Sequence, residues 1–186
     1  MEEEMANREL KRISEAEIIN EAYSEGKEIV KNAAEYFEHK SSTTFGQTDS
    51  IRIEKSLIHW LHNMDSISKE YGAEVKIIGL SSSKSKVSPL ESELLDAYRY
   101  NVEQNIELGD NIQKTERNFL LYSQPLFVNS SSCLRCHGTP IEEVEESTLQ
   151  FLEENYSGSN LYRYSRNKII GMWSIKLSQK RIVQQL

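Results

Sequence analysis

The chain has 186 residues, of which 27% are charged and 38% hydrophobic, and its net charge is −7. This is the balance of a folded domain with its own core, and without a dense basic cluster nucleic acid is not an expected partner. No apolar run approaches the roughly 20 residues that a membrane-spanning helix needs. The first ten residues, MEEEMANREL, are acidic and polar, unlike a signal peptide.

The N-terminal third is predicted to be helical. Residues from about Asn7 to His39 place apolar side chains at helical spacing, which predicts one long helix, with a break near Gly26 as the alternative. A helix of about 30 residues is long for a globular domain, and it suggests an arm that also reaches a second copy or a membrane segment. A second helix, from about Ile51 to Tyr71, is apolar on two sides, so we expect it to be buried on both.

Strand patterns begin after the second helix. AEVKIIGL (Ala73–Leu80) reads as a strand, and Ser88-Pro89 opens a helix that has acidic residues, Glu91 and Glu93, in its first turn. RNFLLYSQPLFVN (Arg117–Asn129) is rich in strand formers, although its internal proline limits pairing.

The last third of the chain mixes one helix, strands and the start of another helix. IEEVEESTLQFLEENY is a short acidic helix, and LYRYS, RNK and IIGMWSIKL predict a hairpin with Asn167 at positive φ in the turn. SQKRIVQQL begins another helix that is cut off at Leu186. The order predicts an α+β fold with an antiparallel sheet, divided into a helical arm (1–40), a domain (41–178) and a truncated helix (179–186).

The stretch SSSCLRCHGTP (Ser130–Pro140) contains both cysteines of the chain, three residues apart, followed at once by a histidine. A disulfide between Cys133 and Cys136 would close a strained, redox-active loop, but the parallel α/β context of thioredoxin-type sites is missing. A structural zinc site needs four ligands, and here Cys133, Cys136 and His137 supply three at most, with no second cysteine pair.

The same spacing is the attachment signal of c-type haem. Two thiols three residues apart can add to the two vinyl groups of a haem, and the histidine after the second cysteine then lies under the iron. We therefore expect Cys133 and Cys136 to form thioethers to haem c and His137 to be the proximal iron ligand. Such a chain must have been exported, so we expect a periplasmic or other extracytoplasmic location, with a membrane tether in the full-length protein.

The residues leave the sixth iron ligand open. His39 lies at the end of the first helix, where a cation interacts favourably with the helix dipole. Met64 and Met172 are best explained by packing in the core. His59 and His62 are three apart and share roughly one side of the second helix. Each of these two also fits an ordinary surface histidine.

Three stretches of the chain carry a resemblance to a known family: YSQPLFVNSSSCLRCHGTP, RYSRNKIIGMWSIKL and, more weakly, AEVKIIGLSSSKSKVSPLESELLDAY. Together they resemble the c-type haem sensor domains with a PAS-like fold that occur in extracytoplasmic parts of bacterial signalling proteins or as small exported proteins. The resemblance runs from about Ile53 to Leu177. One departure is SSSKSKVSP, where the family usually has an Asn-Pro-rich loop.

The resemblance implies a distal iron ligand on the helix before the first strand, where some members have a cysteine. The matching stretch here, LIHWLHNMDSISKEYGAEVKI, has none. By position His62 matches best, with His59 one turn earlier, or an open site, as alternatives. Ligation by His137 and His62 would leave no vacant site for peroxidase chemistry.

The resemblance also implies a sensor that responds to redox state or a diatomic gas and passes the signal through its terminal helices. Its partner would be a membrane-linked signalling module, or a second copy bound through the long helix. The alternative is a small exported electron-transfer cytochrome, whose net charge of −7 would steer it to a basic redox partner. No nucleophile–base spacing is recognisable, so we do not expect an enzyme.

Overall fold

The computed structural model describes residues 13–44, 64–79, 87–115, 118–155 and 162–186. Four strands form an antiparallel sheet in the order β1-β4-β3-β2. The strands are β1 (Glu74–Gly79), β2 (Asn111–Lys114), β3 (Phe119–Phe127) and β4 (Ile169–Ser178). The helices are α1 (Glu15–Thr44), α2 (residues 64–71), α3 (Pro89–Glu103), α4 (Ser131–His137), α5 (Glu146–Asn155) and α6 (Gln179–Gln185). This arrangement confirms the predicted α+β class, and it is consistent with a PAS-like fold.

The long N-terminal helix is continuous through Gly26. It begins at Glu15 rather than near Asn7 because Ser14 caps it: the Ser14 hydroxyl accepts from the Glu17 N–H at 3.2 Å, and the Glu17 carboxylate accepts from the Ser14 N–H at 2.7 Å. It remains helical as far as Thr44, beyond the predicted end. The alternative of two helices broken at Gly26 was therefore wrong.

Gly26 has a packing role that explains its place inside a helix. A Cβ atom added there would lie 2.4 Å from Cγ of Tyr122, a fully buried residue of β3. The Tyr23 ring meets the Tyr122 ring edge-on, with centroids 5.6 Å apart. Both hydroxyls donate to Oδ2 of Asp110, at 2.7 Å from Tyr122 and 3.3 Å from Tyr23. Burial and the neighbouring Asp110 raise the pKa of Tyr122, so the phenol remains a hydrogen-bond donor.

The larger apolar core lies between the sheet and the face formed by α1, α2 and α6. Its buried members are Ile18, Ala22, Ile29, Val30, Ala33, Met64, Ile67, Ala73, Val75, Leu120, Tyr122, Trp173, Ile175, Leu177 and Ile182. Met64 and Ile67, in the last part of the predicted second helix, lie in this core. The preceding part of that prediction, residues 51–63, lies outside the described residues.

A smaller core lies on the opposite face of the sheet, under α3. It contains Ile78, Leu94, Leu95, Tyr98, Leu121, Ile169 and Met172. Residues of β3 alternate between the two cores, as a strand covered on both faces requires.

Buried polar groups join α3 to the sheet. Ser88 and Glu91 form the capping box of α3, as the Ser88-Pro89 start predicted, and the Ser88 N–H donates to the Glu91 carboxylate at 2.8 Å. The Ser174 hydroxyl of β4 donates to the same carboxylate at 2.7 Å. Further along α3, the Tyr98 hydroxyl bonds to Ser123 of β3, which pairs with Ser174 across the sheet.

Two features of the sheet differ from the sequence prediction. Strand β2 was not indicated, because it has only four residues and no alternating apolar pattern. The predicted strand LYRYS was wrong in its described part: residues 162–165 are not a strand, and β4 instead pairs with β3 and β1. Asn167 does take the expected positive φ, 64°. Pro125 is tolerated in β3 because it lies beyond Ser123, where β2 stops pairing.

The C-terminal residues form a helix, as predicted. In α6, Arg181 donates from Nη2 to the Glu25 carboxylate of α1, and Ile182 is fully buried. None of the helices in the described residues is both long and apolar enough to cross a membrane. The division into segments 1–40, 41–178 and 179–186 stays a prediction, and residues 18–33 of α1 contribute to the same core as the sheet.

We predict that Gly26→Ala lowers the free energy of unfolding by about 1–3 kcal/mol, because the new methyl group overlaps the Tyr122 ring. The gain in helix propensity, roughly 1 kcal/mol, offsets only part of this. Urea unfolding measures the change. Gly109→Ala is the matched control, since nothing lies within 4 Å of its Cβ position. Equal stabilities of the two variants would contradict the packing role.

A second prediction concerns Glu91, whose carboxylate should make the stability of the fold depend on pH. Burial alone would raise the pKa of Glu91, but hydrogen bonds from Ser88 and Ser174 and the charge of Lys76 outweigh it and lower that pKa below the usual value of a glutamate. The carboxylate therefore stabilises the fold at neutral pH, and this contribution is lost as pH falls below about 4.5 through the folded-state pKa. Glu91→Gln should lower stability by about 1–3 kcal/mol at pH 7.

The difference between wild type and Glu91→Gln should shrink as pH falls from 5 toward 3, which urea unfolding at several pH values would record. Glu93→Gln, an exposed change on the same helix, serves as control. A difference that is independent of pH would show that the charge of Glu91 is not what stabilises the helix start.

Candidate functional site

The cysteine motif folds as a short helix, α4, directly after β3, one of the two inner strands of the sheet. Ser130 is extended (φ −123°, ψ 160°) and its hydroxyl accepts from the Cys133 N–H at 3.3 Å, so it caps the helix. Gly138 caps the C-terminal end of the helix, and its N–H donates to the Leu134 carbonyl at 2.8 Å. This helix was not predicted, although Ser130, three residues before the first cysteine, was an available capping signal.

The helix brings the two cysteines to one side, because residues three apart are neighbours on a helix surface. Both are free thiols with partly exposed side chains, and Cys133 Sγ lies 3.1 Å from the Ser130 hydroxyl. Burial, and then the nearby Cys133, raise the pKa of Cys136 to about 11, so this thiol is neutral at pH 7. Leu134, between the cysteines, is buried and anchors the helix.

His137 is the last residue of α4 and is partly exposed. Its ring lies edge-on to the Tyr164 ring, with centroids 6.5 Å apart and an interplanar angle of 80°. Within the described parts of the chain, no three His, Cys, Asp or Glu side chains converge as a group that could hold a metal ion. The two thiols and the imidazole therefore follow one another along the helix rather than surrounding one point.

A segment from the far end of the chain, residues 163–168, crosses α4, and we call it the strap. It first extends the β3–β4 pairing: the Val128 N–H donates to the Lys168 carbonyl at 2.9 Å, and the Asn167 N–H donates to the Val128 carbonyl at 2.8 Å. The residues at its beginning, Arg163 and Tyr164, lie away from the strand path, at the end of α4. This is why the hairpin predicted from LYRYS does not form.

At the end of α4 the strap donates two backbone hydrogen bonds. The Tyr164 N–H donates to the His137 carbonyl at 2.7 Å, and the Arg163 N–H donates to the Gly138 carbonyl at 2.8 Å. At the start of α4, Arg166 Nη2 donates to the Ser131 hydroxyl at 3.0 Å. Both ends of the helix are thus held by the strap.

The turn after the motif closes on itself. The Thr139 N–H donates to the Glu143 carboxylate at 2.8 Å, and the Val144 N–H donates to the Thr139 carbonyl at 3.1 Å. No side chain fits at Gly138, because its Cβ would lie 2.5 Å from both Glu143 Oε2 and the Leu134 carbonyl. The sequence GTP after the histidine therefore provides a tight turn that leads into the acidic helix α5.

The structure brings together three of the predicted site residues, Cys133, Cys136 and His137, on one helix. The two candidates for the distal position, His62 and His59, lie outside the described residues. Met64 and Met172 are buried in separate cores, in keeping with their expected packing roles.

The strap residues were missed by the sequence analysis. Four of the five hydrogen bonds described between the strap and residues 128–138 join backbone groups, and the fifth is the side-chain bond from Arg166 to Ser131. Because any residue except proline can make such bonds, the strap has no side-chain pattern that would have revealed it.

Comparisons with known proteins agree with this architecture. A solved structure described as the cyanobacterial haem protein Tll0287 superimposes with a TM-score of 0.61 and 17% sequence identity, covering 84% of this chain and 94% of that one. At this identity the likeness shows a shared fold. No curated protein sequence matches the chain. The model of the Tll0287-like family matches residues 14–178, most of the 186-residue chain, and the protein therefore belongs to the Tll0287-like family.

Proposed function

We propose that this protein is a haem-binding domain in which haem c is attached through thioethers to Cys133 and Cys136, with His137 as proximal ligand of the iron. The observation that carries the proposal is the α4 helix, which presents two free thiols at positions i and i+3 with the imidazole directly after them. The structural likeness to a protein described as a haem protein supports it.

The residues present fit this group. Both thiols are free and partly exposed, so they are accessible for attachment, and a thioether, like the neutral Cys136 thiol, adds no charge to this partly buried site. Ser130 and the strap hold both ends of the helix that carries them. When bound, haem supplies a redox-active iron with a coordination position for a further ligand.

We predict that co-expression with a c-type maturation system yields one covalently bound haem per chain. Intact mass under denaturing conditions and the pyridine haemochrome spectrum measure this. Cys133→Ala and Cys136→Ala should each leave one thioether or none, which shifts the haemochrome band. Ser165→Ala, an exposed change in the strap, is the control. A colourless wild-type protein would overturn the proposal.

For the distal side we propose His62, with His59 as the alternative, because both precede the first strand where the resembling family places this ligand. We expect His62→Ala to convert the ferric spectrum from low-spin to high-spin, while His59→Ala keeps it low-spin. Absorption and electron paramagnetic resonance spectra of the two variants distinguish them. The reverse result would assign His59, and two unchanged spectra would exclude both.

We further infer that the domain is a sensor of redox state or of a diatomic gas, located outside the cytoplasm, where c-type attachment takes place, and that it is not an enzyme. Its contacts support signal transfer through helices. The α2 residue Tyr71 accepts from Asn32 Nδ2 of α1 at 2.6 Å, and Met64 and Ile67 of α2 lie in the core that α1 shares.

The C-terminal helix is joined to the same element, since Arg181 of α6 pairs with Glu25 of α1. A displacement of α2 would therefore move α1, and through α1 it would also move α6. The proposed receiver is a membrane-linked signalling module, or a second copy that binds along α1.

We expect amide hydrogen exchange in α1 and in residues 64–71 to differ between the ferric, ferrous and nitric-oxide-treated forms, while α3 serves as an internal reference. Mass spectrometry of peptides measures the exchange. Identical exchange in all states, combined with fast reversible electron transfer to a basic partner, would favour the alternative of a small exported cytochrome. The net charge of −7 is the feature that supports that alternative.

A further inference from the structure

Tyr164 restrains His137 in two independent ways. Its N–H holds the His137 carbonyl at 2.7 Å, and its ring meets the imidazole edge-on at a centroid distance of 6.5 Å. The first contact holds the backbone at the end of α4, and the second limits the directions that the imidazole can take. A histidine restrained at both levels has few orientations left.

The backbone of the strap is strained where it meets α4. Arg163 has a φ of 75°, in the left-handed region that residues other than glycine rarely adopt, and its side chain is exposed. Such a conformation is energetically unfavourable and persists only where the surroundings hold it. Here the Arg163 N–H donates to the Gly138 carbonyl, next to the Tyr164 bond.

The strap also has no role as a strand that would account for its path. Asn167 and Lys168 bond to Val128 and lead into β4, but the residues before them, Arg163 and Tyr164, lie off the line of the β3–β4 pairing and bond to the end of α4. Arg166 adds a side-chain bond to Ser131 at the other end of the helix. The contacts of the strap are thus directed at the helix that carries the cysteines and the histidine.

We propose that Tyr164 is a positioning residue for His137: the strap fixes the direction of the imidazole, so that it is oriented for the iron before haem binds. This inference rests on the proposed function, because it assigns a role toward His137 as an iron ligand. Groups that orient a ligating histidine commonly affect metal binding 10–100-fold when removed. Tyr164 would act in this way through its ring and backbone.

The test compares Tyr164→Ala, which removes the ring contact, with Tyr164→Phe, which keeps the ring and removes only the hydroxyl. Tyr100→Ala is the matched control, a tyrosine on α3 that is 58% exposed. In the haem-loaded protein, we expect Tyr164→Ala to retain one covalent haem while its high-spin fraction rises on the order of tenfold. Tyr164→Phe and Tyr100→Ala should both keep the wild-type spectrum.

A second measurement uses the haem-free chain and does not depend on loading. The ring current of Tyr164 should shift the His137 imidazole resonances in NMR spectra, and this shift should disappear in Tyr164→Ala but remain in Tyr164→Phe. A wild-type spin state in loaded Tyr164→Ala, or unchanged His137 resonances in the haem-free variant, would overturn the positioning role. If wild-type protein bound no covalent haem, the proposed function would fail and this role with it, whereas the NMR result would still report the ring contact itself.

Discussion

The close contact between Gly26 of α1 and the ring of Tyr122 on β3 is the constraint on which the arrangement of the helices depends. A helix can approach a sheet this closely only where it lacks a side chain, and the space is filled by a fully buried aromatic ring. Asp110 then binds the hydroxyls of Tyr122 and Tyr23, which fixes the ring from its polar end. These contacts fix the position of α1 on strand β3.

Because α1 is held in this way, the elements that bond to it are positioned as well. Tyr71 connects α2 to α1, the Lys114–Glu15 ion pair connects β2, and the Arg181–Glu25 pair connects α6. Strand β3 runs from this contact past the end of β2, through the register shift at Leu126/Phe127, and into the capped helix α4. The candidate site therefore follows the end of a strand that packs against α1, and the strap holds it from the other side.

The two buried glutamates of the described chain differ in a way that bears on the proposed signalling. The Glu91 carboxylate accepts hydrogen bonds from Ser88 and Ser174, and its pKa is lowered. Burial raises the pKa of Glu25 despite its bond to Arg181, and among the described residues its Oε2 has no hydrogen-bond partner. The buried carboxylate that joins α3 to the sheet is thus well provided with hydrogen-bond donors. The buried carboxylate between the two terminal helices has fewer. A domain that passes a signal through its ends would need its weaker connection there.

Sequence alone determined the α+β class, the long first helix, the start of α3 at Ser88-Pro89 and the chemistry available at Cys133, Cys136 and His137. These depend on periodicity, capping and spacing, which are properties of residues close together in the chain. Only the tertiary structure decided that Gly26 packs rather than breaks a helix, because its reason lies in Tyr122, almost a hundred positions away. It also decided that residues 163–168 hold α4 instead of forming a strand, because backbone hydrogen bonds between distant segments leave no mark on the amino-acid pattern.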